Sequence, residues 1–421
     1  MLRQLKVRRK FATVLCLLTL GALTMTRGFR DRTAEAAPPA LITSAARRFE
    51  PAFENAQHRF DWSRVRRDGS GYIEVLPDGR RAELTLDPAM QARVERLLRA
   101  HPTPYAAAVV LSVEDGRVLA MVGHSSKEPN KTTADLTLKA WAPAASIFKL
   151  VTATALVEHG VRPDTRVCYH DGVHSVEDSN LRSMPRLDGA CATLAYGLAK
   201  SQNAIIARLA HDHLDADALT KAAQAFGFGT ALPFALPVEA SQAHVPVGGL
   251  PFARTAAGFW NTTLSPLHGA YLAATLARGG VTPPLRLIDR VVDREGNAVR
   301  PAAAPERRVV SEAAARAVGR MMVGTTEFGT ARLGFRDKRT NRPLLPGIAV
   351  AGKTGSLDRK DPYVSYSWFV GFAPAERPEV AVAVLLGNGP SWHVKAHQVA
   401  REVLTSYFEG APQGNPRVAS R

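Results

Sequence analysis

Pro346-Gly347-Ile348-Ala349-Val350-Ala351-Gly352-Lys353-Thr354-Gly355-Ser356 admits two readings that lead to different folds. From Gly347 to Thr354 it satisfies G-x-x-x-x-G-K-[ST], the pattern of a phosphate-binding loop. That loop needs a strand before it and a helix N-terminus after it, aimed at the phosphate. Here the apolar residues fall inside the would-be loop. The residues after Thr354 include Gly355, Pro362 and the strand-like run 365–373, with no helix. The alternative is a strand over 348–352, then a cation, a hydroxyl and a glycine whose missing side chain permits close approach. The strand reading fits the context.

Working outward, residues 365–373 and 380–386 read as two more strands, separated by 374–378, which begin and end on proline. Far upstream, 106–113 and 118–122 flank the turn Glu114-Asp115-Gly116. Residues 71–76 and 81–86 flank Pro77-Asp78-Gly79, a hairpin signal. Asp87-Pro88 then caps a helix over 89–100. From about 144 to 276 the pattern turns helical, with apolar spacing of three and four over 147–158 and 193–210. A hairpin over 285–299 comes next, then a helix over 311–323. Strands at both ends of a mostly helical middle predict one α+β domain whose sheet is closed by its two ends. Residues 27 to about 69 read as a linker with at most a short helix, and 409–421 as a frayed, disordered tail.

The chain has 421 residues and a net charge of +16, which invites an acidic partner. The N-terminus reinterprets that charge. Arg3, Lys6, Arg8, Arg9 and Lys10 precede an apolar run over 11–26, the layout of an export signal. Sixteen residues span about 24 Å, short for the hydrocarbon core but usable with flanking residues. Segment 1–10 is expected in the cytoplasm by the positive-inside tendency, and 11–26 as an uncleaved transmembrane anchor, with a cleaved signal as the alternative. Exported protein meets anionic membrane and wall polymers, and the basic residues form no aromatic-interleaved stripe, so nucleic acid is excluded as a partner. Cys168 and Cys191 lie in the exported part, where a disulfide is permitted; two buried free thiols are the alternative.

Three short motifs stand in order: Ser146-Ile147-Phe148-Lys149, Ser201-Gln202-Asn203 and Lys353-Thr354-Gly355. Each is weak alone, and Ser146 alone reads as a helix cap. Together they are specific. Serine and lysine three apart on a helix share a face, so the amine can reach the hydroxyl. In this combination the sequence resembles the penicillin-binding transpeptidase family, over about residues 84–408. Further likenesses are Leu84–Gln91, Phe226-Gly227-Phe228-Gly229, Leu264-Ser265-Pro266-Leu267, Gly329-Thr330-Ala331 and Trp368–Pro374. One departure is Ala144-Ala145, where many members have Pro-Gly. Another is segment 27–83, a linker and small N-terminal segment too short for a glycosyltransferase or a large pedestal.

The resemblance implies a β-lactamase/transpeptidase-like fold, an antiparallel sheet flanked by helices with a mostly helical lobe. It implies that Ser146 is the nucleophile on a D-alanyl-D-alanine stem peptide of peptidoglycan, and Lys149 its base. Ser201 would relay a proton to the leaving D-alanine, and Asn203 would hold Lys149 or the substrate amide. Lys353 and Thr354 would bind the terminal carboxylate beside Gly355. The backbone N–H groups of Ser146 and Ser356 would form the oxyanion hole. No metal or organic cofactor is needed. β-Lactam antibiotics are the implied inhibitors, and a cell-wall synthesis complex the implied assembly. The enzyme would work on the outer side of a bacterial cytoplasmic membrane. A D,D-carboxypeptidase, or a serine β-lactamase or penicillin sensor of the same fold, is the rival. A lactamase needs a base for water, and Glu239, 36 residues after Asn203, is the candidate.

Overall fold

The computed structural model describes residues 60–69, 71–391 and 394–410. The expected cytoplasmic segment, the apolar run 11–26 and residues 411–421 of the expected tail 409–421 lie outside them, while 409 and 410 are the last residues of a helix. No helix among the described residues is long and apolar enough to cross a membrane.

The described chain opens with strands β1 (Arg66–Asp68), β2 (Gly71–Val75) and β3 (Arg81–Leu84). Asp87 caps helix α1 (Pro88–Arg99) by accepting from Met90 N–H. The hairpin β4 (Tyr105–Ser112) and β5 (Val118–His124) comes next, then α2 (Thr133–Thr137) and the short β6 (Ala142–Pro143). A 3₁₀ turn over Ala145–Phe148 runs into α3 (Lys149–Glu158). The helical lobe continues through β7 (Arg166–Tyr169), β8 (Ala190–Thr193), α4 (Leu194–Ala199), α5 (Asn203–His213), α6 (Ala216–Ala225), α7 (Gly249–Ala256), β9 (Thr263–Leu264) and α8 (Pro266–Ala277). Strands β10 (Ile288–Val292) and β11 (Ala298–Val299) lead to α9 (Glu312–Glu327) and α10 (Arg332–Phe335). Last come β12 (Ala351–Lys360), β13 (Tyr363–Ala373), β14 (Val380–Asn388) and α11 (Ala396–Gly410).

The principal sheet has the order β12-β13-β14-β4-β5, antiparallel throughout. β14 against β4 joins the two ends of the chain, the closure that the strand distribution predicts. Alternate residues of these strands feed two cores, as a period of two requires. Ala106, Ala108, Val110, Val382 and Val384 pack with α1 and α11, while Val109, Leu111, Ala381, Ala383 and Leu385 face the helical lobe. Because both faces are covered, β14 is buried along its length and continuously apolar over 380–386 rather than alternating.

The phosphate loop that the sequence reading set aside is absent: β12 runs directly into β13 with no helix after Lys353. Four details differ from that reading. The strand expected over 348–352 begins only at Ala351 and runs on to Lys360, so Lys353-Thr354-Gly355 lies inside β12 and not after a strand. Residues 66–68, read as linker, form β1 and pair with β2; their pattern Arg-Arg-Asp carries no apolar alternation to betray a strand. The strands β1-β2-β3-β10-β11 make a second sheet, so the hairpin over 71–84 and that over 288–299 belong to one layer. The helix expected over 193–210 is two helices, α4 and α5, interrupted at residues 200–202.

Cys168 and Cys191 face each other in the β7/β8 register and are bonded as a disulfide with sequence separation 23. Closing a loop of that length stabilises the fold by about 3 kcal/mol on the chain-entropy model. Replacing both cysteines by serine should lower the unfolding free energy in denaturant by about that amount. An unchanged midpoint would mean that the bridge constrains nothing in the unfolded chain.

Candidate active site

Helix α3 is buried on nearly every side, from Lys149 through Leu156, and is held in the core by packing and by the bond from Thr152 Oγ1 to Ala256 O. At its start the 3₁₀ turn has no side-chain cap. Ser146 is therefore not spent on capping. Its Oγ lies 2.7 Å from Lys149 Nζ. The residue before it, Ala145, sits at φ +49°, a left-handed conformation costing roughly 1–2 kcal/mol for a residue with a Cβ. This is the position where the resembled family often has glycine.

Lys149 is fully buried. Its Nζ also lies 2.6 Å from Asn203 Oδ1 and 2.5 Å from the carbonyl oxygen of Ala257, beyond the C-terminal end of α7. Asn203 opens α5. Its Nδ2 donates to Val173 O at 2.8 Å, and its own N–H donates to Gly172 O at 3.1 Å. The Nδ2 bond to Val173 O turns the Oδ1 end of the amide toward Lys149.

Ser201 occupies the break between α4 and α5 at φ +55°, a second strained residue beside the cleft. Gln202, not Ser201, caps α5. Ser201 Oγ instead accepts from Lys353 Nζ at 2.8 Å, and that Nζ also reaches Thr354 O at 2.8 Å. Lys353 is fully buried on β12, an edge strand of the principal sheet. Thr354 Oγ1 lies 2.5 Å from Thr330 Oγ1. At Gly355 an added Cβ would meet Ile147 Cγ1 at 3.2 Å and Ala144 O at 3.4 Å. The close approach that this glycine permits is thus that of the Ser146 turn to β12. Ser356 faces Ser367 across the β12/β13 ladder.

These groups open into one cleft of about 840 Å³, whose walls include Ser146, Ser201, Asn203, Thr330, Thr354 and Ser356. Asp358 is the one carboxylate residue among its described lining residues, and it is exposed. Glu239 is not in the wall. It is exposed on a loop, where its Oε2 accepts from Ala140 N–H at 3.1 Å. The sequence reading missed Thr330, Ala257, Lys395 and His397. Of these only Thr330 falls in one of the short segments of likeness, Gly329-Thr330-Ala331, and nothing local marks the others as cleft residues.

Residues 106–405 match the model of the penicillin binding protein transpeptidase domain. The chain belongs to the penicillin-binding protein transpeptidase family. It is 26% identical over 377 residues to the peptidoglycan D,D-transpeptidase PbpA of Mycobacterium tuberculosis, covering 81% of this chain and 74% of that protein. With PbpA of Mycolicibacterium smegmatis the identity is 28% over 349 residues, covering 74% and 68%. Among solved structures, the imipenem acyl-enzyme complex of penicillin-binding protein A from M. tuberculosis superposes with a TM-score of 0.65 at 23% identity. That match covers 78% of this chain and 80% of the other. It shows a shared fold.

Two buried lysines, neither paired with a carboxylate among the described residues, define the electrostatics. Burial, and secondarily the nearby charge of Lys353, hold Lys149 well below the usual lysine range. Burial alone brings Lys353 down to about 7. For a lysine depressed on folding, the cost of burial is fully present below pH 7. It fades between pH 7 and 10.5, where the unfolded chain binds the extra proton. Lys353→Met should therefore be more stable than the wild type at pH 6, by a margin that shrinks toward pH 10. Urea unfolding at the two pH values measures this, and a margin that grows with pH would contradict the depressed value.

Proposed function

We propose that this protein is a serine D,D-transpeptidase that cross-links peptidoglycan stem peptides through an acyl-enzyme at Ser146. The observation that carries the reading is the set of three contacts around Lys149 Nζ. A neutral amine has two N–H groups and one lone pair. The two N–H groups donate to Asn203 Oδ1 and Ala257 O, which are acceptors only at those atoms. The lone pair is left for the hydroxyl proton of Ser146. A depressed lysine so arranged is a general base in contact with its nucleophile.

The remaining roles come from the chemistry at each position. Ser146 Oγ attacks the carbonyl of the penultimate D-alanine as Lys149 takes its proton. The oxyanion is received by the backbone N–H groups of Ser146 and Ser356. Ser146 also stands at the start of α3, where the helix dipole favours negative charge. The terminal carboxylate sits at Lys353 and Thr354 and draws Lys353 into its charged form. Ser201, bonded to Lys353, passes a proton to the departing D-alanine amine. Acylation thus needs Lys149 neutral and Lys353 charged. An acceptor amine then resolves the acyl-enzyme. The basic residues and apolar run of segments 1–10 and 11–26 support a single-pass membrane anchor, with this domain on the outer side.

The position of Glu239 disfavours a lactamase. It holds a backbone N–H outside the cleft, so water has no identified base and the acyl group should wait for an amine.

A fluorescent penicillin should label the wild type and not Ser146→Ala. Lys149→Ala should lower the acylation rate by about 10²–10⁴. The adduct should last minutes to hours, with a lifetime unchanged by Glu239→Gln. Undiminished labelling of Ser146→Ala would overturn the assignment, and rapid turnover lost on Glu239→Gln would establish the lactamase.

A further inference from the structure

Tyr196, which lines the cleft, is stacked on Phe328, two residues before the cleft residue Thr330, and both rings are exposed. Tyr196 of α4 and Phe328, the residue after α9, have centroids 6.4 Å apart and planes 20° apart. They are 38% and 44% exposed. Lys200 Nζ lies 5.9 Å from the Phe328 centroid, and no carboxylate pairs with it among the described residues. Tyr196 and Lys200 line the same cleft as Ser146 and Ser201.

This shelf is held in place. Thr330 N–H donates to Ala199 O at 3.1 Å, tying the segment after α9 to the end of α4. Gly329 makes that approach possible, since a Cβ there would lie 2.2 Å from the same oxygen. The rings are thus fixed in an exposed position. Isolated exposed rings need no explanation, but a braced stack with a cation at a cleft mouth suits a ligand with planar amides and a carboxylate.

Connectivity says which ligand. Ser146 bonds Lys149, Ser201 bonds Lys353, Thr354 bonds Thr330, and Thr330 abuts the shelf. On the transpeptidase reading, on which this inference rests, the donor's acyl carbon is at Ser146 and its carboxylate at Lys353 and Thr354. Whatever enters after D-alanine leaves takes that vacated place, and its remainder runs outward over the rings.

We propose that Tyr196, Phe328 and Lys200 form the subsite for the acceptor, a second stem peptide whose attacking amine neighbours a carboxylate. The amine nitrogen bonds to the acyl carbon, the bond from that carbon to Ser146 Oγ breaks, and one amine proton ends on Ser146 Oγ. Lys200 takes a further carboxylate of the acceptor while the rings pack its backbone.

The test uses a synthetic acyl-D-alanyl thioester as donor and reads the ratio of transfer to hydrolysis, which depends only on acyl-enzyme already formed. Two acceptors are compared: a stem peptide with a free side-chain amine, and a single D-amino acid that reaches Lys353 and Thr354 but not the shelf. In Tyr196→Ala/Phe328→Ala, and in Lys200→Glu, the ratio with the stem peptide should fall about tenfold. The ratio with the D-amino acid should move less than about twofold, and Tyr196→Phe and Lys200→Arg should behave as the wild type. Equal losses with both acceptors, or no loss with either, would overturn the subsite, whereas hydrolysis alone by the wild type would fail the transpeptidase reading on which it rests. If the double variant does not fold, the exposed Lys200→Glu change decides. A wild type that forms no acyl-enzyme would instead fail the transpeptidase reading itself.

Discussion

The site depends on placing an amine out of water without giving it an anion. Lys149 is sealed beneath the Ser146 turn, its partners are two carbonyl oxygens and a hydroxyl, and the nearest charge is another lysine. A carboxylate in the same place would hold the ammonium charged and idle. Burial and like charge push it toward the free amine, the form that can take a proton. Buried cations without partners are costly, so the surrounding core must be large enough to carry them.

Much of the fold serves that placement. The two cores on the faces of the principal sheet fix β12 at the edge, and β12 brings Lys353 to Ser201 and Gly355 to the Ser146 turn. The break between α4 and α5 puts Ser201 and Asn203 on either side of Gln202, one facing each lysine. Both strained residues, Ala145 and Ser201, stand at these junctions. Each costs a modest amount that the packing around it overrides, in keeping with strain being stored where groups must be aimed.

The chain wrote some of this plainly. Serine and lysine at i and i+3 share a helical face whatever the rest of the protein does. A strand next to Lys353-Thr354-Gly355 could be told from a phosphate loop by the absence of a helical pattern after it, although its bounds, Ala351–Lys360, could not. The α+β closure was visible in where the strands fell. Long-range partners were not. Ala257 O reaches Lys149 across 108 residues, and a backbone carbonyl has no sequence signature. The break at 200–202 was hidden because α4 and α5 both carry apolar spacing, and a single residue at positive φ leaves that spacing intact. α11 was passed over although Ala396, Val399, Ala400, Val403 and Leu404 repeat every three or four residues and are buried.

The claim that everything else rests on is the protonation of two lysines in the resting enzyme. Protein labelled at the lysine side-chain carbons, titrated by NMR with Lys149→Ala and Lys353→Met to assign the signals, measures it directly. The account predicts two lysines set apart from the rest, Lys353 titrating near 7 and Lys149 well below 10.5. Both titrating with the surface lysines would contradict it.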